Sequence, residues 1–515
     1  MPSNESTSYS EDVSAVYNQM DNVDKKKPLI IGPLAFFASA FLGLQFWFML
    51  LPFTVLAVIG DLALVLLRGP RSSSNNSTPD DVDEKVIEIL PSDRKYDVVL
   101  LGVTGFTGKL AACYLAEQYG AGRDAKVKWA VAGRSKSRVE STLKSIATKL
   151  GNDEVLNVDV MIVDTSKRDT VREMVKSTRT VITPQDHLSN MASSSVVELC
   201  AKYGTHYADI TGEEDWNKDM MKLYESTAKQ SGAKIVSFCG HDSIPWDLTV
   251  RVLSEKLKDA GDELTSVECL DELQGGVSGG TIATFFETLD LLFNQFSLDS
   301  IMSNMNQLDC YMRLPDGSES SNIVKDDLPF FISPCRNPSS RFVEKWAGPF
   351  VMAYINFEVV RRGVALSKHN NKHPIKYREA IVAVGLMDAF SMLIGLLLLG
   401  TLIVNPITRP FLKMIMAKPG EGPSEKEMED GFLCVTGYGI GADGRKAESV
   451  MYFGRDGGYT STARMLVESG LCLALDGTKH DYAEGGFYSP SSLMCHPLLD
   501  RLIDKGIAHF ACCSK

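Results

Sequence analysis

From Tyr96 onward the chain alternates short apolar runs with longer stretches whose apolar residues recur at helical spacing, and glycine, proline or polar turns mark the switches. Residues 98–101 form the first apolar run, as expected of a strand buried in a parallel sheet, and 109–118 continue as a helix. The strand pattern returns at 128–135, at 158–163, at 180–183 just before Pro184, and at 235–239. This alternation predicts a doubly wound βαβ half from 95 to about 240. After about 265 strands and helices mix, which predicts a second, substrate-binding domain. There 431–440 and 448–453 alternate like sheet strands, 460–475 reads as a helix, and 498–510 reads as a last helix returning to the first domain. No internal repeat is evident.

Ahead of this body the pattern differs. Residues 1–27 are polar, carry five acids (Glu5, Glu11, Asp12, Asp21, Asp24), and are expected to be a disordered tail. Residues 29–60 then run for 32 positions without a charge, followed by Asp61 and a further apolar run over 62–67. The run is too long for a signal peptide, its leader is acidic, and no small-residue cleavage site follows. A single straight helix over it would be about 48 Å long at ~1.5 Å per residue, against a hydrocarbon core of ~30 Å. Pro33 and Pro52 interrupt it, and basic residues flank both ends: Lys25, Lys26 and Lys27 before, Arg68 and Arg71 after. Residues 28–67 therefore read as a membrane hairpin with both ends cytosolic, or as one tilted span. Residues 68–94 form a linker, with Asn75 and Asn76 opening sequons that stay silent if the following domain is cytosolic. A second uncharged run, 389–404, is short for a span and reads as a core helix, a re-entrant segment or a monotopic foot.

At 515 residues the chain holds two or three cores. Its net charge of −12 and lack of a basic patch exclude nucleic acid as the expected partner. Eleven cysteines without C-x-x-C or paired-histidine spacing predict reduced, mostly buried thiols and no metal site, with Cys512 and Cys513 as exposed thiols. No pattern specifies an oligomeric state.

The candidate chemistry begins at the first strand. Gly102, Gly105 and Gly108 recur at three-residue spacing between a strand and a helix start, with Thr104, Phe106 and Thr107 between them. Glycines let the backbone approach a pyrophosphate, and free N–H groups of the helix start face the anion. About 20 residues later, where an acid would hold the ribose hydroxyls of NAD, the chain places Gly133, Arg134 and Ser135, with Lys136 and Arg138 behind. Guanidinium and hydroxyl groups suit a 2′-phosphate, so NADP(H) is the expected cofactor. Asp164, at the end of the third strand, is placed either to touch adenine or to cap the next helix.

The remaining polar groups cluster at two more strand ends. Tyr207, Asp209, Thr211 and Glu213 follow one strand, and His241, Asp242 and Ser243 follow another, at the sheet edge where open α/β folds bind ligands. Asp242 and Ser243 are the catalytic candidates, for proton delivery or substrate binding, and capping of the helix that follows is the structural alternative. His206 and His241 have no metal spacing.

Together these segments resemble the saccharopine dehydrogenase-like oxidoreductases, the group that includes the trans-acting enoyl reductases of lipid biosynthesis. The resemblance spans about 95 to 510 and rests on G-V-T-G-F-T-G at 102–108, A-G-R-S at 132–135, H-Y-A-D-I-T-G-E at 206–213, H-D-S-I-P-W-D at 241–247, S-G-G-T at 278–281 and P-G-E-G-P-S at 419–424. It implies a Rossmann NADP-binding domain over 95–250, then an α+β substrate domain over 251–430 with remaining strands and helices over 431–515. It also implies association with a membrane or lipid droplet and a role in lipid or glycolipid metabolism. Two segments depart from the family's pattern: 183–187 replaces its usual G-P-Y/F turn, and His241 stands where an aromatic is commoner. The expected function is therefore NADPH-dependent reduction of an apolar, lipid-type substrate by a membrane- or droplet-bound protein, with its catalytic body in the cytosol. The alternative is a non-catalytic NADP(H)-binding scaffold on such a surface.

Overall fold

The computed structural model describes residues 9–23, 89–122, 125–184, 194–241, 243–275, 323–325, 331–350, 352–367, 373–405, 408–415 and 421–515. The proposed membrane segment at 28–67, the turn after Pro184, Asp242 and the S-G-G-T motif lie outside them.

The described chain opens on helix α1 (Val13–Val23), not on a disordered tail. Val13, Val16 and Met20 are buried at helical spacing, and the Tyr17 hydroxyl donates to Glu448 at 2.9 Å. That stripe was present in the sequence, diluted by the acids around it.

The first domain is an all-parallel sheet. Its strands are β1 (Tyr96–Leu101), β2 (Trp129–Gly133), β3 (Asp159–Ile162), β4 (Thr178–Thr183), β5 (His206–Asp209) and β6 (Lys234–Val236), linked through α2 (Phe106–Tyr119), α3 (Lys136–Leu150), α4 (Arg168–Ser177), α5 (Ser194–Tyr203) and α6 (Glu214–Ser231). The spatial order is β3-β2-β1-β4-β5-β6, so the switch point of a doubly wound sheet falls between β1 and β4. β1 is apolar because both its faces are covered: Val98 and Leu100 join one core, Val99 and Leu101 the other. Arg94, just before β1, is buried and donates to the carbonyls of Val175, Thr178 and Tyr203. It thereby ties the ends of α4 and α5 to the sheet. Residues 89–94 are thus part of the fold and not of the linker.

Helix α7 (Ile244–Asp259) leaves this sheet and covers a second one. That sheet runs β15-β13-β12-β7-β11-β10-β9, with β8 beside β11. Its strands are β7 (Leu264–Gln274), β8 (Ile323–Lys325), β9 (Ser333–Pro334), β10 (Trp346–Gly348), β11 (Ile375–Ala383), β12 (Phe432–Gly441), β13 (Lys446–Phe453) and β15 (His509–Ser514). β7 and β11 are parallel, whereas β12, β13 and β15 add in antiparallel fashion. Gly437 on β12 lets α7 sit close, since a Cβ there would lie 2.3 Å from the Thr249 side chain. Helices α8 (Ala353–Leu366), α9 (Leu386–Val404), α10 (Thr408–Ile415) and α11 (Glu425–Asp430) connect the strands. The architecture is a Rossmann-like parallel sheet with a second, mixed domain.

The C-terminal region is woven back into the first domain. Helix α12 (Thr462–Leu475) packs on β4 and β5, where Gly470 removes the side chain that would strike Ile182. β14 (Gly486–Tyr488) adds a seventh parallel strand beside β6. Helix α13 (Pro490–Asp504) then ends near Gly506, at φ +62°, and the chain finishes as β15. The expected helix over 498–510 therefore stops early, and the left-handed glycine is the reason. Pairing of β15 with β13 buries Cys512 and half-buries Cys513, so neither is the exposed thiol expected. Among the described residues no helix is long and apolar enough to cross a membrane. α9 contains the second uncharged run, and the exposure of Phe390, Leu397 and Leu399 excludes a core helix there.

Candidate functional site

β1 ends at Leu101, and Gly102 turns the chain at φ +91°, a conformation that favours glycine. Gly105 then stands at the N-cap of α2, without a side-chain cap. The first bond entering the helix is Lys109 N to the Gly105 carbonyl, at 3.0 Å. The amides of Phe106, Thr107 and Gly108 precede it and face the helix's N-terminal end. The glycines have different tasks. A Cβ on Gly108 would lie 2.2 Å from the Gly102 carbonyl oxygen, so that residue packs helix against turn. A Cβ on Gly105 would meet only that carbonyl, at 3.4 Å, an ordinary contact, so its exposed face is open to a ligand. Thr104 is also exposed there.

A cavity opens beside this turn. It is lined by Gly102 and Thr104 from the first loop, Gly133, Arg134, Ser135 and Arg138 from the end of β2 and the start of α3, and Thr165 after β3. Arg134 and Arg138 are exposed at its mouth. Ser135 is the N-cap of α3 without making the capping bond. The structure thus brings Gly102, Thr104, Gly133, Arg134 and Ser135 around one space, where a glycine turn, a helix start, two guanidinium groups and a hydroxyl fit a phosphorylated dinucleotide. Asp164 accepts from Ser166 N and Oγ, at 3.1 and 2.7 Å, and these bonds hold its carboxyl below the usual carboxylate range. The N-cap of α4 is Lys167, so Asp164 does not cap that helix. Thr165 has no flanking motif and was not legible beforehand.

The second half of the site lies at the ends of β5 and β6. Asp209 is fully buried and accepts from Thr211 N, Ser237 Oγ and Phe238 N. It holds Phe238 at φ +63°, strained for a residue with a side chain, and so shapes the loop that carries His241. The His241 amide donates to Thr462 Oγ1 at 3.0 Å, and its ring lies against Trp246 at 5.3 Å. Gly457 leaves space for that ring, since a Cβ there would sit 3.0 Å from His241 Cδ2. Ser243 is fully buried at the N-cap of α7 and makes no side-chain cap bond.

One short segment joins the two halves. Residues Gly457–Ser461 form a π-helical turn ahead of α12, closed by the buried Asp456, which accepts from Tyr459 N and Thr460 N. Tyr459 meets the Phe106 ring edge-on at 5.4 Å, while Gly457 touches His241. Gly422, in the P-G-E-G-P-S loop, lies so close to Phe106 that a Cβ would fall 2.5 Å from its ring. Phe106 is thus clamped by two loops from the second half of the chain, and only the tertiary fold reveals Tyr459 and Asp456 as site residues.

Behind His241, Trp246 donates its indole N–H to Asp271 at 2.9 Å. Asp271 on β7 is opposite Ile381 on β11, so Glu379, two residues earlier, shares its face of the sheet. Glu379 accepts from Tyr377 at 2.5 Å and Asn356 at 2.7 Å. Burial, with Glu379 second, pushes the Asp271 carboxyl well above the usual range. His206 is held neutral by burial, its pKa falling to about 3, while Nδ1 accepts from Lys234 N. Among the described residues no His, Cys, Asp or Glu cluster could hold a metal.

The comparisons agree with this geometry. The saccharopine dehydrogenase NADP binding domain family matches residues 98–236, the whole glycine–arginine half. A putative trans-acting enoyl reductase of Mycobacterium tuberculosis is 33% identical over 426 residues, covering 81% of this chain and 97% of that protein. A trans-acting enoyl reductase of Mycobacterium bovis is 31% identical over 432 residues, covering 81% and 98%. Among solved structures, apo saccharopine dehydrogenase (L-Glu forming) of Saccharomyces cerevisiae aligns over 82% of this chain and 100% of its own, at 12% identity and a TM-score of 0.44, too loose a likeness to inform the chemistry.

Two outcomes follow. Arg134→Ala should weaken NADPH binding by roughly 1.5–3 kcal/mol, the range for hydrogen bonds to charged groups, and leave NADH almost unchanged. Titration calorimetry with both cofactors checks this, and equal losses would remove Arg134 from the 2′-phosphate. The acid pair sets a pH dependence. Because the Asp271 carboxyl is raised on folding, the unfolded chain gives up its proton first, and stability falls as pH rises above the ordinary carboxylate range. Asp271→Asn should flatten that fall in thermal denaturation across a pH series, and an unchanged slope would show that the pair does not titrate on folding.

Proposed function

The chain belongs to the saccharopine dehydrogenase-like oxidoreductases, in the group of the trans-acting enoyl reductases, and from that membership we propose that it reduces a carbon–carbon double bond in an apolar, lipid-type substrate with NADPH. We propose further that it works in lipid or glycolipid metabolism, on an ER or lipid-droplet surface with the catalytic body in the cytosol. The observation that carries the redox reading is the cavity lined by Gly102, Gly133, Arg134, Ser135 and Arg138, with the π-helical turn leading from Phe106 to His241. The membrane part is supported by the uncharged run over 29–60.

When bound, the cofactor supplies the hydride. The chain's own residues do the rest. The glycine turn and the start of α2 take the pyrophosphate, and Arg134, Arg138 and Ser135 take the 2′-phosphate. Phe106 is held between Gly422 and Tyr459 and fixes the first turn of α2 against the second half of the chain. The loop at 240–243, at the head of α7, is where a proton would be delivered to the reduced carbon chain. His241 is half-buried there, Ser243 is fully buried, and Asp242 lies between them in sequence.

The test is turnover. Full-length protein is incubated with a lipid extract and NADPH carrying deuterium at the transferable position, and products are read by mass spectrometry. Deuterium on a saturated product supports the reductase. Tight NADPH binding with no labelled product from any extract would overturn it in favour of the non-catalytic scaffold.

A further inference from the structure

Helix α9 has one charged residue, Asp388, at its start, and is apolar on every side thereafter. A helix of that kind is ordinarily enclosed by protein or by lipid. This one is seated at its two ends, where Gly348 of β10 leaves room for Ala389 and Met392 and where Ile403 is buried, while its middle is partly open. Further along, Leu397 is 52% exposed and Leu399 42%. The next helix, α10, continues the apolar surface with Phe411 at 63% and Met414 at 70%, one turn apart. Single apolar residues this exposed are ordinary on a protein surface, but these fall on two consecutive elements.

Two side-chain hydrogen bonds among the described residues join the ends of the helices. Asn405 is fully buried, and its side-chain oxygen accepts from Thr408 N at 3.3 Å. The Thr408 hydroxyl donates to the Leu402 carbonyl at 2.5 Å, satisfying one of the orphan carbonyls at the end of α9.

The position of α1 adds an independent argument. Arg341 joins Asp21, near the end of α1, to Glu272 on β7, at 2.7 and 2.8 Å. Glu272 follows Asp271, which stands opposite Ile381 on β11, and β11 leads directly into α9. The chain therefore departs toward its uncharged run at 29–60 from the same end of the second sheet that carries α9 and α10.

We propose that α9 and α10 form a monotopic foot that enters the surface of a phospholipid layer beside the anchor at 28–67. This deepens the membrane reading above and rests on it. The second domain is then held to the lipid at two places, with α9 and α10 shallow in the interface and not across it.

The experiment uses the full chain bound to phosphatidylcholine vesicles that contain a photoactivatable acyl chain, with labelled residues located by mass spectrometry. Label over 386–415 as well as over 29–67 is the expected result. Leu397→Glu combined with Phe411→Glu should reduce label over 386–415 to background while label over 29–67 persists, and unchanged thermal stabilisation by NADPH shows that the variant is folded. Label confined to 29–67 overturns the foot and leaves the membrane reading intact. No label anywhere, with no flotation of the protein with the vesicles, overturns both. If 386–415 is unlabelled and instead cross-links to 29–67 or to a second copy of the chain, that protein surface is the occupant and the proposal fails.

Discussion

The cofactor half depends on a close approach between two glycines. Gly108 faces the carbonyl of Gly102 with no room for a side chain, so α2 begins directly against the turn that ends β1. That contact sets the direction of the helix, and the direction of the helix sets where its free amides point. Everything else in the cavity is placed relative to this turn. β2 runs parallel to β1 in register, Leu101 opposite Ala132, which brings Gly133 and Arg134 level with Gly102. The guanidinium groups reach the cavity because the sheet holds two strand ends at one height.

The second constraint is the path of the chain between domains. α7 starts at the edge of the first sheet and covers the second, and α12 and β14 return from the second to the first. Each crossing passes the site. The first supplies His241 and Ser243, and the return supplies the turn at Gly457–Ser461. A buried cluster secures it: Glu468 on α12 accepts from Tyr114 and Tyr119 of α2 and pairs with Arg501 of α13 at 3.0 Å. A carboxylate this deep is tolerated because its oxygens are met by two hydroxyls and a guanidinium. The cofactor helix is therefore braced by residues more than 300 positions away.

What the sequence made legible follows the range of the interactions. The glycine turn, the strand ends and Arg134 depend on neighbours within one βαβ unit, so spacing alone identified them. Tyr459, Asp456 and Gly422 belong to the site only because the chain returns, and no local pattern marks them. The H-Y-A-D-I-T-G-E stretch read as possible chemistry, yet Asp209 and Thr211 spend their polar groups on backbone amides and build the loop under His241. The docked helix at Val13–Val23 and the strand at His509–Ser514 were misread for opposite reasons. In the first the apolar stripe was hidden by acids, and in the second a helical run was carried past the glycine that ends it.

The central claim is that the Gly102 turn and the start of α2 receive the cofactor's pyrophosphate, with Gly105 reserved for the ligand and Gly108 for the fold. Thermal unfolding of Gly105→Val with and without NADPH tests it most directly. The account predicts a melting temperature near that of the unaltered protein when NADPH is absent, and loss of the increase that NADPH confers. If the variant gains as much stability from NADPH as the unaltered protein does, the cradle lies elsewhere and the account is wrong.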